Sequence, residues 1–296
     1  MSPGATPDRG YFPRERSVLR EVHEQRAVGL LYGQRALGIG AIAPLNFVGT
    51  RLHTKALGTP FNRLAHTAKW FEQIYFGSRE QADAVLGAVG RMHQRVQGTL
   101  PADAGRFPAG TAYSAMDPEL MLWTVAVIAD SARYFYELLV RRLSAEEKES
   151  LWQDYVRFGE LFGMPRDGAP TSYRAFREYW HGQLAGDRVH LTAEARHTGH
   201  AIMFQIPVPR TRRPSMPVHN LLMLGSLPPR VRELYGLRFT AAHSLAFRGA
   251  ATAVREGLRR APAAIRTGQN EGFFELVART EQGMIARGQP IPGALV

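Results

Sequence analysis

Helix start and stop signals recur throughout this chain, and no segment alternates apolar and polar residues as a half-buried strand does. Ser78-Arg-Glu-Gln81 and Ser144-Ala-Glu-Glu147 have capping-box spacing, in which a hydroxyl and a carboxyl or amide satisfy each other's exposed backbone donors. Asp117-Pro118 places an N-cap before a proline at the first helical position, where the missing N–H costs nothing. Gly77, Gly98, Gly163 and Pro165 supply the stops. These signals predict helices over 15–36, 44–57, 62–76, 79–97, 118–142 and 145–162. Shorter helices follow over 171–184, 192–204, 216–224 and 229–235, then a long one over 240–260. The expected fold is all-α, a single helical domain over 15–261. Residues 1–14 read as a flexible N-terminus and 262–296 as a loose tail with one short helix around 273–279.

Composition narrows the chemistry. With 296 residues, 45% of them hydrophobic, the chain can bury a core unaided. It has no cysteine, which excludes disulfides, iron–sulfur clusters, thiolate-bound metals and a catalytic thiol. The formal net charge is +11, a value that often marks nucleic-acid binders. However, 34 of the 37 basic residues are arginine, in a chain with 29 glycines. The arginines read as scattered rather than clustered, so no nucleic-acid partner is expected. The longest run free of charged residues and histidine, 36–50, is too short to span a bilayer. The N-terminal residues lack the apolar stretch of a signal peptide, and the expected location is cytoplasmic.

Two helices carry residues out of keeping with their surroundings. Over 62–76, Arg63, Thr67, Phe71 and Ile74 share a face with Trp70 alongside, and His66 lies one turn from Arg63. A guanidinium on such a face stays charged and needs an anionic or carbonyl partner. Either a carboxylate from another helix supplies it, or the side chain reaches from the edge of the face to water, or a ligand supplies it. In the next helix, Leu86, Val89, His93 and Val96 line one apolar face, with Gly90 close by. A histidine there is a hydrogen-bonded core residue or a metal ligand. As a haem ligand it would bind iron through one ring nitrogen and donate to a carbonyl or carboxylate through the other. A competing metal pattern is the pair of Glu-x-x-His motifs, Glu178/His181 and Glu194/His197, whose spacing recurs in di-iron sites.

Arg63-Leu-Ala-His-Thr67, followed by Phe71 and Phe76-Gly77, resembles the R-x-x-x-T…F-G signature of the oxygenase family that contains fungal MpaB and the bacterial rubber oxygenase, latex clearing protein. Further landmarks follow in the same order. They are Gly33-Gln-Arg-Ala36 with Ala43-Pro44, Met92-His-Gln-Arg-Val-Gln-Gly98, Tyr113-Ser-Ala-Met-Asp-Pro118, Leu122-Trp123, Leu143-Ser144, Gly163-Met-Pro165 and Pro170-Thr171. The resemblance covers about residues 15–245. It implies a globin-like helical core binding haem b, with His93 as the proximal iron ligand. Arg63 and Thr67 match distal-side residues, and Trp123 falls at the family's tryptophan beside the cofactor. His66 stands where latex clearing protein has a lysine, and is a second possible iron ligand. Val125 and Ala43 stand where the family often has histidine.

The leading expectation is therefore a haem-dependent oxygenase. It would use dioxygen on an apolar or partly anionic small molecule, with oxidative cleavage of a carbon–carbon double bond as the implied reaction. An electron donor is a further partner in that reading. A non-haem di-iron oxidase and a non-catalytic haem- or ligand-binding helical protein are the alternatives.

Overall fold

Asp117 begins the helix around which the others pack. Its carboxylate accepts a hydrogen bond from the Glu119 N–H at 2.8 Å, and the helix runs from Pro118 to Leu139. Fourteen of its 22 residues are buried, as befits a helix surrounded on all sides. The structure is a computed structural model describing residues 10–54 and 57–295. Residues 1–9 of the segment read as flexible, and two residues of the expected helix 44–57, lie outside the described residues.

Numbered in chain order, the helices are α1 (Val18–His23), α2 (Arg26–Gly40), α3 (Pro44–His53), α4 (Pro60–Phe76), α5 (Arg79–His93), the central α6 (Pro118–Leu139) and α7 (Ala145–Leu161). Then follow α8 (Tyr173–Ala185), α9 (Ala193–Phe204), α10 (Met216–Ser226), α11 (Pro229–Tyr235), α12 (Ala241–Arg260), α13 (Ala263–Arg266) and α14 (Glu271–Ala286). Helices make up 68% of the described residues, and the sheet among them is a two-stranded ribbon. The fold is predominantly all-α and forms a single domain. Both capping boxes form, at Ser78/Gln81 and Ser144/Glu147.

Three local expectations change. The first helix breaks between His23 and Arg26. Helix α5 stops at His93, and Gly98 instead lies in the ribbon, paired with Tyr113. A side chain at Gly98 would meet the Tyr113 hydroxyl at 2.8 Å, so close approach of that ring requires glycine. Finally, the C-terminal stretch, read as a loose tail, carries a full-length helix. Helix α14 packs on α4 and buries Phe274 and Val277 against Phe61 and Leu64.

Two carboxylates fix that last pair of helices. Glu281 of α14, fully buried, accepts hydrogen bonds from the Phe61 and Asn62 N–H groups at 3.0 and 2.8 Å, capping the start of α4. Glu72 of α4 accepts from the Asn270 N–H at 2.6 Å, at the start of α14. Each helix thus supplies the anion that the other's positive end favours.

The core also holds an ion network that no local pattern announces. Asp130 of α6 lies 2.9 Å from Arg35, 3.0 Å from Arg133 and 2.6 Å from Arg177. Burial raises the Asp130 pKa, but Arg35, Arg133 and Arg177 outweigh it and hold the value at about 2. A free aspartate titrates near 3.9. Because the folded value is the lower one, the stabilisation is complete above about pH 4 and is lost as pH falls towards 2. Acid titration of thermal stability is expected to show a loss of about 2–3 kcal/mol from this site across that window. A midpoint unchanged between pH 4 and 2 would contradict the assignment.

Candidate active site

Helix α4 directs Arg63, His66, Thr67, Trp70, Phe71 and Ile74 into a cavity of about 810 Å³. Their spacing is that of one helical face, while Phe61 packs towards α14 and Leu64 both joins that cluster and borders the cavity. Helix α5 contributes Val85, Val89 and His93 to the wall, one per turn. Helix α2 contributes Gly33, Ala36 and Gly40, positions with almost no side-chain bulk, alongside Tyr32 and Leu37. A Cβ at Gly33 would meet nothing within 4 Å, so this wall leaves room for a flat ligand against the helix backbone. Phe158 of α7, Phe162 just past its end, and Val125 and Ile128 of α6 complete a mostly apolar lining.

Four of the five residues singled out in the sequence thus meet at one cavity. Trp123 does not. It stacks on Trp180 with ring centroids 5.6 Å apart and lines a separate cavity of about 500 Å³. The outward turn of α6 at this position separates it from Met121 and Val125, which do face the main cavity. Leu86 and Gly90 are also absent from the main cavity's lining; Val85 takes the place expected of Leu86.

Arg63 makes no ion pair and no side-chain hydrogen bond among the described residues, so the expectation of a carboxylate joining two helices is not met. Burial disfavours its charge, and no protein group offsets that cost. Thr67 donates its hydroxyl proton to the Arg63 carbonyl at 3.0 Å, which leaves its oxygen as an acceptor towards the cavity. Burial lowers the His93 pKa, so the imidazole is neutral at pH 7. Its Nδ1 is buried and lacks a hydrogen-bond partner. The carbonyl or carboxylate expected to accept from that ring is not found among the described residues.

Sequence reasoning missed other polar groups on the wall, among them His23, His53 and Glu72. His23 Nε2 lies 2.7 Å from the Tyr155 hydroxyl, and its ring stacks on Tyr75 at 4.2 Å. Burial pushes its pKa down to about 3, so it too is neutral. His23 and Tyr155 are 132 positions apart, and no spacing rule connects them. The two Glu-x-x-His pairs do not converge. Glu178 pairs with Arg174 and Glu194 with Arg51, and no three metal-ligating side chains gather anywhere among the described residues.

The chain is thus an all-α domain with a mostly apolar cavity between its helices and imidazole and guanidinium groups on the cavity wall. The sequence model of the family described as "ER-bound oxygenase mpaB/B'/Rubber oxygenase, catalytic domain" matches residues 20–256. The chain belongs to that family. Neither the curated proteins nor the solved structures contain a match to it. No helix among the described residues is long and apolar enough to cross a membrane.

Proposed function

We propose that this oxygenase-family domain binds haem b in the large cavity, with His93 as iron ligand, and uses dioxygen to oxidise an apolar or partly anionic small molecule. The observation that carries the reading is the shared wall: a neutral imidazole with an unpartnered buried nitrogen and an unpaired guanidinium face one apolar cavity. The volume lies within the range of about 300–1,000 Å³ usual for cofactor and ligand sites. The residues fit a flat, mostly apolar group carrying a metal and acidic substituents. Val89 lies one turn before the imidazole on the same wall, Gly33 leaves space against the α2 backbone, and Arg63 awaits an anion.

Bound haem supplies an iron centre able to activate dioxygen. The chain's own residues do the rest. Arg63 binds an anion, either a carboxylate of the cofactor or negative charge that develops as oxygen is reduced. The Thr67 oxygen accepts a hydrogen bond while its proton stays on the Arg63 carbonyl. His66, one turn from Arg63, is the hydrogen-bonding group at the place of the relatives' lysine. The aromatic wall of Phe71, Phe158 and Phe162 excludes water and receives the apolar part of the substrate. Cleavage of a carbon–carbon double bond, and an external electron donor, belong to the same reading.

Purified full-length chain titrated with haem b is expected to bind one equivalent and show a Soret band. Arg63→Ala is expected to keep that stoichiometry and its helix content while oxygen consumption with an alkene substrate falls about 100- to 1,000-fold, the effect of removing one aligned charge-stabilising donor. Failure to take up haem would overturn the proposal. If Arg63→Ala merely unfolds the chain, the residue is structural.

A further inference from the structure

The positive charge that reads as scattered is concentrated in one part of the fold. From Arg196 to Arg266 there are twelve arginines, no lysines and only two carboxylates, Glu233 and Glu256. The rest of the chain holds 25 basic against 24 acidic residues, so nearly the whole net charge of +11 arises in this stretch. Arg210, Arg212, Arg213, Arg238, Arg248 and Arg266 are exposed, and none has a carboxylate partner among the described residues. Elsewhere exposed arginines with a carboxylate partner are interspersed among the others, as Arg141 is held by Glu147 and Glu21 and Arg166 by Glu160.

The same stretch carries the two most exposed large apolar side chains among the described residues, Leu245 at 67% and Ile265 at 59%. Helix α12 shows how charge and apolar surface combine. Phe247, Ala250, Val254 and Leu258 turn inward against the core, and only Ala251 is fully buried. On the outward face, Ala241, Leu245, Arg248, Thr252 and Arg259 fall at helical spacing. Flanking them are Ala242, Ala246, Gly249 and Ala253, all exposed. This face has small and apolar residues at its centre and guanidinium groups along its length.

We propose that the outward face of α12, continued by α13, docks the domain on an anionic lipid bilayer. Lying in the plane of the interface, such a helix places Leu245 and Ile265 among the acyl chains and its arginines among the headgroups. Charge complementarity selects this occupant over a second copy of the chain, because two faces with the same excess of arginine repel. The exposed leucine and isoleucine select it over a nucleic acid, whose backbone offers charge but no apolar surface.

The test uses the full-length chain in sedimentation with vesicles of pure phosphatidylcholine and vesicles containing phosphatidylglycerol. Binding is expected only to the anionic vesicles and is expected to weaken with salt. Each arginine lost is expected to weaken it about fivefold, so that Arg248→Ser with Arg259→Ser weakens it about 25-fold. Leu245→Ser is expected to weaken it several-fold at any salt concentration, with helix content by circular dichroism unchanged in both variants. Equal indifference to both vesicle types would overturn the proposal. So would tight binding to duplex DNA that Leu245→Ser leaves intact while vesicle binding is absent.

Discussion

Replacing Asp130 with alanine is expected to cost about 3–5 kcal/mol of stability, the penalty for removing one partner from a buried ion pair. Arg35 and Asp130 side chains are 2% and 3% exposed, so neither reaches water when the other is lost. Arg35 would keep its hydrogen bonds to the Ser131 hydroxyl and the Ser226 carbonyl, at 2.8 and 3.1 Å, and its place 4.8 Å from the Tyr134 ring centre. Those groups are neutral and leave the guanidinium charge uncompensated. Arg133 still has Glu137 and Arg177 lies close to His181, so the loss concentrates on Arg35. Denaturant unfolding of Asp130→Ala, and of the double variant Asp130→Leu/Arg35→Met, reads this directly. The double variant is expected to recover most of the stability, since apolar replacement of a whole buried pair is often neutral. A single variant within about 1 kcal/mol of the parent would show that the network carries little energy.

Replacing His93 with alanine is expected to abolish tight haem binding, with an affinity loss beyond the 10- to 100-fold that removal of an outer-shell partner alone causes. The proposed role rests on the end of α5, where the chain turns and leaves the imidazole beside the Phe162 ring, centroids 6.4 Å apart. No hydrogen bond ties its Nδ1 to the protein, so the fold itself gives little in return for burying it. A core histidine would show the opposite behaviour: a stability loss on substitution and no effect on the cofactor. His66→Ala is the matched comparison, since His66 lies exposed on α4. It is expected to retain haem and alter only its spin state. Spectrophotometric titration of both variants separates the roles, and full haem uptake with an unchanged spectrum in His93→Ala would refute the assignment.

Much of the helical layout was legible because its signals are local. Ser78, Asp117 and Ser144 act within three residues of themselves, and each opens its helix at the expected position. The shared face of Arg63, His66 and Thr67 was legible for the same reason, since helical spacing alone groups them. Arg35 with Asp130, and His23 with Tyr155, are long-range pairs that exist only once α1, α2, α6 and α7 have packed. Trp123 shows a different limit. The family resemblance places it on the right helix, but one residue of rotation decides which of two cavities a side chain meets. Helix α14 was underestimated because Gly272 and Gly283 weaken its local propensity. Tertiary burial of Phe274 and Val277 against α4 supplies what propensity lacks.

The paired carboxylates of α4 and α14 also bear on where this protein can be cut. Family similarity ends at residue 256, ahead of α14 in the chain, while Glu281 caps the very helix that bears Arg63. A fragment trimmed to the region of similarity would keep every signature residue and lose the anion at the head of α4, together with the apolar cover over Phe61 and Leu64. Recognisable ancestry and the contacts that hold the fold together therefore have different borders here, and a fragment ending at residue 256 is expected to be less stable than one that runs through the C-terminal helix.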